Sequence, residues 1–268
     1  MAYHVPRHGT ADGSQGLEGM AASREVIVET TTEDAAESAA HRFVQIIKER
    51  TGQGKECFLA LCGGTTPGEL YRRLASPPLL ESVPWHDVHI FFGDERDVPQ
   101  DHVENNYRLV TKTLLDHVPV PLTQVHPMPA DCRDLSAAAE QYENLIRRLV
   151  PAENDDLPTF DLILLGMGAE GHTASLFPDT PALAERERLV VAQFVPVIGR
   201  NRMTFTFPLI NAARNVMFFI TGPDKADAVA AVLSDDPARR SRYPAARVQP
   251  SPGKLIFVLD SAAARAIQ

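Results

Sequence analysis

Apolar residues fall along this chain in two rhythms. Short runs with almost no polar interruption recur at 25–29 (EVIVE), 57–62 (CFLALC), 88–92 (VHIFF), 161–165 (DLILL), 216–220 (VMFFI) and 255–259 (LIFVL). Runs so short and so apolar read as strands, most of them buried on both faces of a parallel sheet. Between them lie stretches with helical spacing. One runs from Glu33 to Arg50 with Ala36, Ala39, Ala40, Phe43, Val44 and Ile47 inward, opened by Thr32 as cap and ended by Gly52 and Gly54. Others span about Gly68 to Ala75, Asn105 through Leu115, Leu135 to Leu149 with Ala138, Ala139, Tyr142, Leu145, Ile146 and Leu149 inward, Pro208 to Ala213, and Lys225 to about Leu233. Leu189–Val195 and the alternating Met203–Phe207 add two strands, Asn154-Asp155-Asp156 reads as a linker, and the Ala-rich tail closes as a helix. Strands regularly followed by helices predict an α/β fold with a largely parallel sheet flanked by helices.

Length and charge narrow this further. A chain of 268 residues buries a sizeable core, and 23–268 reads as a single domain with a small additional subdomain. Residues 1–22 are Gly- and Ser-rich without periodicity and read as a disordered N-terminal extension, with Met20 a second candidate start. The formal net charge of −9 lacks the basic footprint of a nucleic-acid-binding protein, so no nucleic acid is expected. It accommodates an anionic small ligand met by a few cations and backbone amides. No run of about 18 apolar residues and no signal-peptide core occurs, so no membrane partner is expected. Cys57, Cys62 and Cys132 are odd in number and read as buried reduced thiols, which favours a cytoplasmic location. No metal-ligand spacing is present, and neither metal nor cofactor is expected.

Chemistry concentrates where the apolar runs stop. Gly63-Gly64-Thr65-Thr66-Pro67 follows the second run and opens a helix, so free N–H groups, hydroxyls and the helix dipole converge as an anion cradle. No Lys follows these glycines, which excludes a P-loop. Gly93-Asp94-Glu95-Arg96 ends the third run, and Asn105-Asn106-Tyr107 brings polar groups to the same edge. Lys225 sits in the first turn of a helix, where a cation opposes the dipole unless an anion joins it. Gly166, Gly168 and Gly171 give a G-x-G-x-x-G spacing. A dinucleotide fingerprint needs a long following helix, yet Phe177-Pro178 stops any helix after about two turns, so the glycines instead let a loop close tightly and present His172.

These motifs together resemble a family. CGGTTP at 62–67, GDER at 93–96, NNY at 105–107, GMGAEGHTASLFP at 166–178, RMTFT at 202–206 and GPDKA at 222–226 resemble the ordered motifs of the 6-phosphogluconolactonases, with the match running from about residue 25 to the C-terminus. The glycine cradle and the Lys motif are shared with related glucosamine-6-phosphate deaminases, and the wider group looks like a phosphosugar-binding variation on a Rossmann-type sheet. The chain departs from the family where Cys62 replaces a more usual Ser, Thr65-Thr66 a Ser-Thr, Asn105 a Ser and Glu170 an Asp.

The resemblance implies hydrolysis of 6-phospho-D-glucono-1,5-lactone in the oxidative pentose phosphate pathway. It places the phosphate on Gly63, Gly64, Thr65 and Thr66 with Arg202 and Lys225, and lets Asn106 and Gly168 line the substrate site. His172 is then the general base on water, Arg96 stabilises the oxyanion or steers hydroxyls, and Asp94 and Glu170 orient. Ser175 as a nucleophile lacks the G-x-S-x-G elbow. The expected partner is the small-molecule phosphosugar lactone, in a monomer or small homo-oligomer. Two rivals stay open. A deaminase or aldose-ketose isomerase needs a carboxylate base at the sugar C2; those enzymes resemble D-E-Y and A-F-N-E-P where this chain has Arg96 and Ser175-Leu176-Phe177. A non-catalytic phosphosugar sensor would normally carry a helix-turn-helix module.

Overall fold

The computed structural model describes residues 23–153 and 157–267. The expected extension at 1–22 and the expected linker at 154–156 lie outside the described residues. Strands β1 (Ser23–Glu29), β2 (Cys57–Leu61), β3 (Val88–Phe92), β4 (Asp94–Arg96), β5 (Leu162–Leu165), β6 (Val190–Val195), β7 (Arg200–Phe205), β8 (Asn215–Ile220) and β9 (Lys254–Asp260) alternate with the main helices α1 (Thr32–Thr51), α2 (Thr65–Leu74), α3 (Asn106–Val110), α4 (Leu135–Leu149), α5 (Phe207–Asn211) and α6 (Ala226–Leu233).

Six strands form a parallel sheet in the order β1-β9-β8-β5-β2-β3. The all-apolar runs β2 and β5 take the centre because both their faces are covered, and every residue of each is buried. β1, whose side chains are exposed or half-buried, lies at an edge. From β2 the chain winds outward to β3; from β5 it winds the other way through β8 and β9. The switch point therefore lies between β2 and β5, where a crevice opens beyond the strand ends. Phe43, Phe91, Phe160, Phe205, Phe218 and Phe257 fill the core on either side of this sheet.

A smaller antiparallel sheet, β4-β7-β6, supplies the additional layer. Gly93 is its hinge: its N–H donates to Leu61 O at 2.9 Å and its carbonyl accepts from Phe205 N at 2.8 Å. The charged end of the third run is thus a short strand of a second sheet. Glu143 on α4 clamps that sheet, accepting from Leu189 N at 3.0 Å and Val190 N at 3.3 Å.

Five local expectations need correction. Thr31, with extended backbone, caps α1 by accepting from Asp34 N at 3.1 Å, while Thr32 Oγ1 donates to Asp260 Oδ2 at 2.8 Å. Helix α2 starts at Thr65 and not Gly68, because Pro67 is tolerated in a first turn whose N–H groups lack helical partners. Lys225 ends a 3-10 turn, Pro223–Lys225, directly before α6. The Ala-rich tail forms only turns across 261–267, too short a stretch to repay helix nucleation. Of the three free thiols, Cys57 and Cys62 are buried and Cys132 is exposed.

Candidate active site

The carboxyl ends of β2, β5 and β8 enclose a cleft of about 260 Å³. Its walls include Gly63 to Thr66, Asp94, Arg96, Asn106, Gly168, His172 and Lys225. The fold thus gathers most of the residues singled out in the sequence, from segments over 160 positions apart in the chain, by ending parallel strands at one edge. A larger, more open hollow of about 530 Å³ is lined only by β1 and α1 side chains and receives none of the glycine turns.

The cradle is the start of α2. Gly64 adopts φ +111°, which favours glycine, and no side chain caps the helix, so its first-turn N–H groups and its dipole are directed at the cleft. Tyr71 fixes this helix to its strand: its hydroxyl donates to Cys62 O at 2.7 Å and accepts from Cys62 N at 3.2 Å. Thr66 Oγ1 lies 2.9 Å from Thr221 Oγ1, which joins the ends of β2 and β8. Gly63 has no room for a side chain, since a Cβ there would sit 1.7 Å from Asn106 Oδ1.

His172 is presented by the loop after β5, which is made of turns. Gly168 N donates to His172 O at 3.0 Å, Gly171 N to Gly168 O at 2.9 Å, and Thr173 Oγ1 to Gly166 O at 2.9 Å. The imidazole is held twice. Its Nδ1 lies 2.9 Å from Glu170 Oε1, and its face stacks on Phe177 with ring centroids 4.0 Å apart at 17°. Burial alone would push the Glu170 carboxyl up, but its own backbone N–H, His172 and Lys225 hold it below the usual range. An ionised carboxylate only accepts, so the Nδ1 proton points to Glu170, the tautomer that in the neutral imidazole leaves the lone pair on Nε2.

Asp94 makes no hydrogen bond to His172. Its Oδ2 accepts from Ser175 Oγ at 2.7 Å and its Oδ1 from Asn106 Nδ2 at 3.2 Å. Ser175 is buried and its hydroxyl is committed to that bond. Arg96 Nη1 donates to Glu104 O. Arg202 lies outside the cleft wall, directly opposite Arg96 in the β4–β7 register. Burial, then the Arg96 charge, lowers its pKa from the ordinary guanidinium value. Lys225 Nζ pairs with the exposed Asp224 at 3.0 Å and remains in the wall.

Sequence reasoning gave no role to Glu95, Phe177 or Tyr243. Glu95 is fully buried, and its carboxylate accepts from Arg96 N and Asn106 N at 2.8 Å and from Tyr107 N at 3.0 Å, anchoring the start of α3 beside the cleft. Burial pushes its pKa up to about 7 despite those donors. Strand alternation was the available signal: Asp94 and Arg96 share one face of β4, which leaves Glu95 on the other. Among the described residues no cluster of three or more His, Cys, Asp or Glu could hold a metal ion, and no helix is long and apolar enough to cross a membrane.

Residues 30–257 match the family model for glucosamine-6-phosphate isomerases/6-phosphogluconolactonase. A 6-phosphogluconolactonase of Synechocystis sp. is 43% identical over 222 residues, covering 83% of this chain and 88% of the relative. Among solved structures, the 6-phosphogluconolactonase of Trypanosoma brucei superimposes with a TM-score of 0.81 at 28% identity, covering 94% of this chain and 100% of that one. The 6-phosphogluconolactonase of Trypanosoma cruzi does so with a TM-score of 0.81 at 30% identity, covering 93% and 99%.

Proposed function

The chain belongs to the glucosamine-6-phosphate isomerase/6-phosphogluconolactonase family, and from that membership we propose that it hydrolyses 6-phospho-D-glucono-1,5-lactone to 6-phospho-D-gluconate, a step of the oxidative pentose phosphate pathway. The observation that carries this reading is the pairing of His172 with Glu170 in the same cleft as the uncapped start of α2.

The phosphate occupies the amide and hydroxyl groups of Gly63 to Thr66, with Lys225 supplying charge and Arg202 adding positive potential behind Arg96. The lactone carbonyl then faces His172. Nε2 takes a proton from water, and the water oxygen bonds to C1. Arg96 stabilises the resulting oxyanion. As the tetrahedral intermediate collapses, the bond from C1 to the ring oxygen breaks, and the imidazolium returns its proton to that oxygen. The new carboxylic acid releases a proton to solvent. General-base assistance of this kind contributes about 10²–10⁴ in rate. Glu170 holds the productive tautomer and stabilises the imidazolium. A lactone is already an activated ester, so no covalent enzyme intermediate is required. The deaminase alternative is disfavoured at position 177, where a phenyl ring stacks on the histidine in place of the Glu that those enzymes resemble there.

Proton release from freshly generated lactone in weak buffer near pH 7, corrected for spontaneous opening, tests the reading. Acceleration should scale with protein and fall at least a hundredfold in His172→Asn. Ligand-induced thermal stabilisation without acceleration would instead bring the deaminase and sensor readings forward.

A further inference from the structure

The segment between α6 and β9 carries none of the motifs discussed above, yet it holds the backbone that presents His172. Tyr243 is half-buried against the core, and its side chain fills the space that a Cβ on Gly171 would take. A Cβ on Gly171 would come within 2.3 Å of Tyr243 Cδ1, 2.8 Å of its Cβ and 2.9 Å of its Cγ. Gly171 has φ +77°, so both its conformation and its surroundings exclude a side chain. Two residues beyond Tyr243, Ala245 N donates to Gly171 O at 2.9 Å. The Tyr243 end of the segment is itself braced: Tyr243 N donates to Arg240 O at 3.0 Å, and Arg240 Nη2 donates to Ala246 O at 2.9 Å. The residue immediately before the histidine is therefore gripped by a ring on one atom and an amide on another.

We propose that Tyr243 is a positioning residue for the hydrolysis, acting through Gly171 on His172. Glu170 and Phe177 fix the ring of His172, but both belong to the same loop and would move with it. The distant segment ties that loop to the body of the fold at Gly171, next to the histidine, whereas the bonds of Ser175 to Asp94 and Thr204 hold it three residues farther along. The inference rests on His172 being the base. A displacement near 1 Å at such a group costs on the order of a hundredfold in rate, so a loosened loop should lower turnover while leaving the phosphate cradle, which lies on β2 and α2, intact.

The test is a double-mutant cycle in the full chain, read by proton release from freshly generated 6-phosphogluconolactone. Tyr243→Ala should lower kcat at least tenfold with KM changed less than threefold. Tyr243→Phe, which keeps the ring, should restore the parent kcat. In a His172→Asn background, Tyr243→Ala should add no further loss, because the group it positions is gone. If Tyr243→Ala is insoluble, Tyr243→Leu keeps apolar bulk without the planar ring and should show the same split. A folded Tyr243→Ala or Tyr243→Leu variant with parent kcat, or an equal loss in both backgrounds, would overturn the proposal. Parent turnover in the single His172→Asn variant would overturn the general-base reading and this one with it, and is seen without any change at Tyr243.

Discussion

Ser175 Oγ donates to Asp94 Oδ2 at 2.7 Å inside the protein, so the hydroxyl nearest in sequence to His172 on its C-terminal side, apart from Thr173, is spent on a carboxylate and not on chemistry. Asp94 in turn holds Asn106, whose Nδ2 also donates to Asp94 O at 2.9 Å. The pair is a brace between the His172 loop, β4 and α3. Ser175→Ala removes a hydrogen bond to a charged group and should cost about 1.5–3 kcal/mol of stability, measured by urea unfolding. Turnover should stay within about tenfold of the parent, since no covalent step uses the hydroxyl. Loss of activity by three or more orders of magnitude with the fold intact would reinstate Ser175 as the nucleophile.

Lys225 and Arg202, both assigned to the phosphate, hold different places relative to the cleft. Lys225 lies in the cleft wall, whereas Arg202 stands opposite Arg96 outside it. The exposed partner Asp224 contributes little against a bound phosphate, because water screens a surface pair. Lys225→Met should therefore raise KM at least tenfold with kcat within threefold, the signature of lost uniform binding. Arg202→Ala should raise KM by less. An unchanged KM in Lys225→Met would remove that residue from the phosphate site.

The sheet was largely legible because its strands are uniformly apolar and end in glycine or charge, and hydrophobic pattern alone places such segments at the centre of an α/β fold. The cleft followed, since parallel strands deliver their ends to one edge. Features that depend on long-range approach were not legible. The Tyr243 ring reaches Gly171 across more than 70 positions, and Glu143 meets the N–H groups of Leu189 and Val190 from another layer. Run Thr30-Thr31-Thr32 offers equivalent caps, and only backbone geometry selects Thr31. Nothing in the sequence reveals that Arg202 lies directly opposite Arg96 in the antiparallel register of β4 and β7.

Glu95 gives the stability a pH dependence of definite sign. Burial raises its pKa from about 4.5 to about 7, so between those values the folded protein binds more protons than the unfolded chain. Its contribution is fully present below about pH 4.5 and is lost as pH rises through about 7. A displacement of that size corresponds to about 3 kcal/mol at most. Glu143 and Glu170, whose pKa values are lowered, act in the opposite direction and lose their contribution on acidification. The Glu95 effect is therefore isolated as the difference between the parent and Glu95→Gln. Urea midpoints from pH 4.5 to 8 should fall relative to that variant as pH rises. A difference that stays flat across this range would mean that Glu95 remains ionised throughout.

Gly168 offers the sharpest separation of chemistry from folding. Its φ lies outside the left-handed region, so alanine is compatible with the backbone there. The added methyl, however, would fall 2.2 Å from His172 Nδ1 and 2.5 Å from Glu170 Oε2, between the two groups whose hydrogen bond orients the base. Neither side chain is deeply buried, so both can swing aside, and the fold should lose little. Gly168→Ala should then lower kcat about a hundredfold, as expected for a misplaced catalytic group, with a melting temperature within a few degrees of the parent. KM should change little, because the cradle at the start of α2 is untouched. If kcat survives while the crystal structure of the variant shows the His172–Glu170 bond broken, that bond is not needed for catalysis and Glu170 loses its role as orienter of the imidazole.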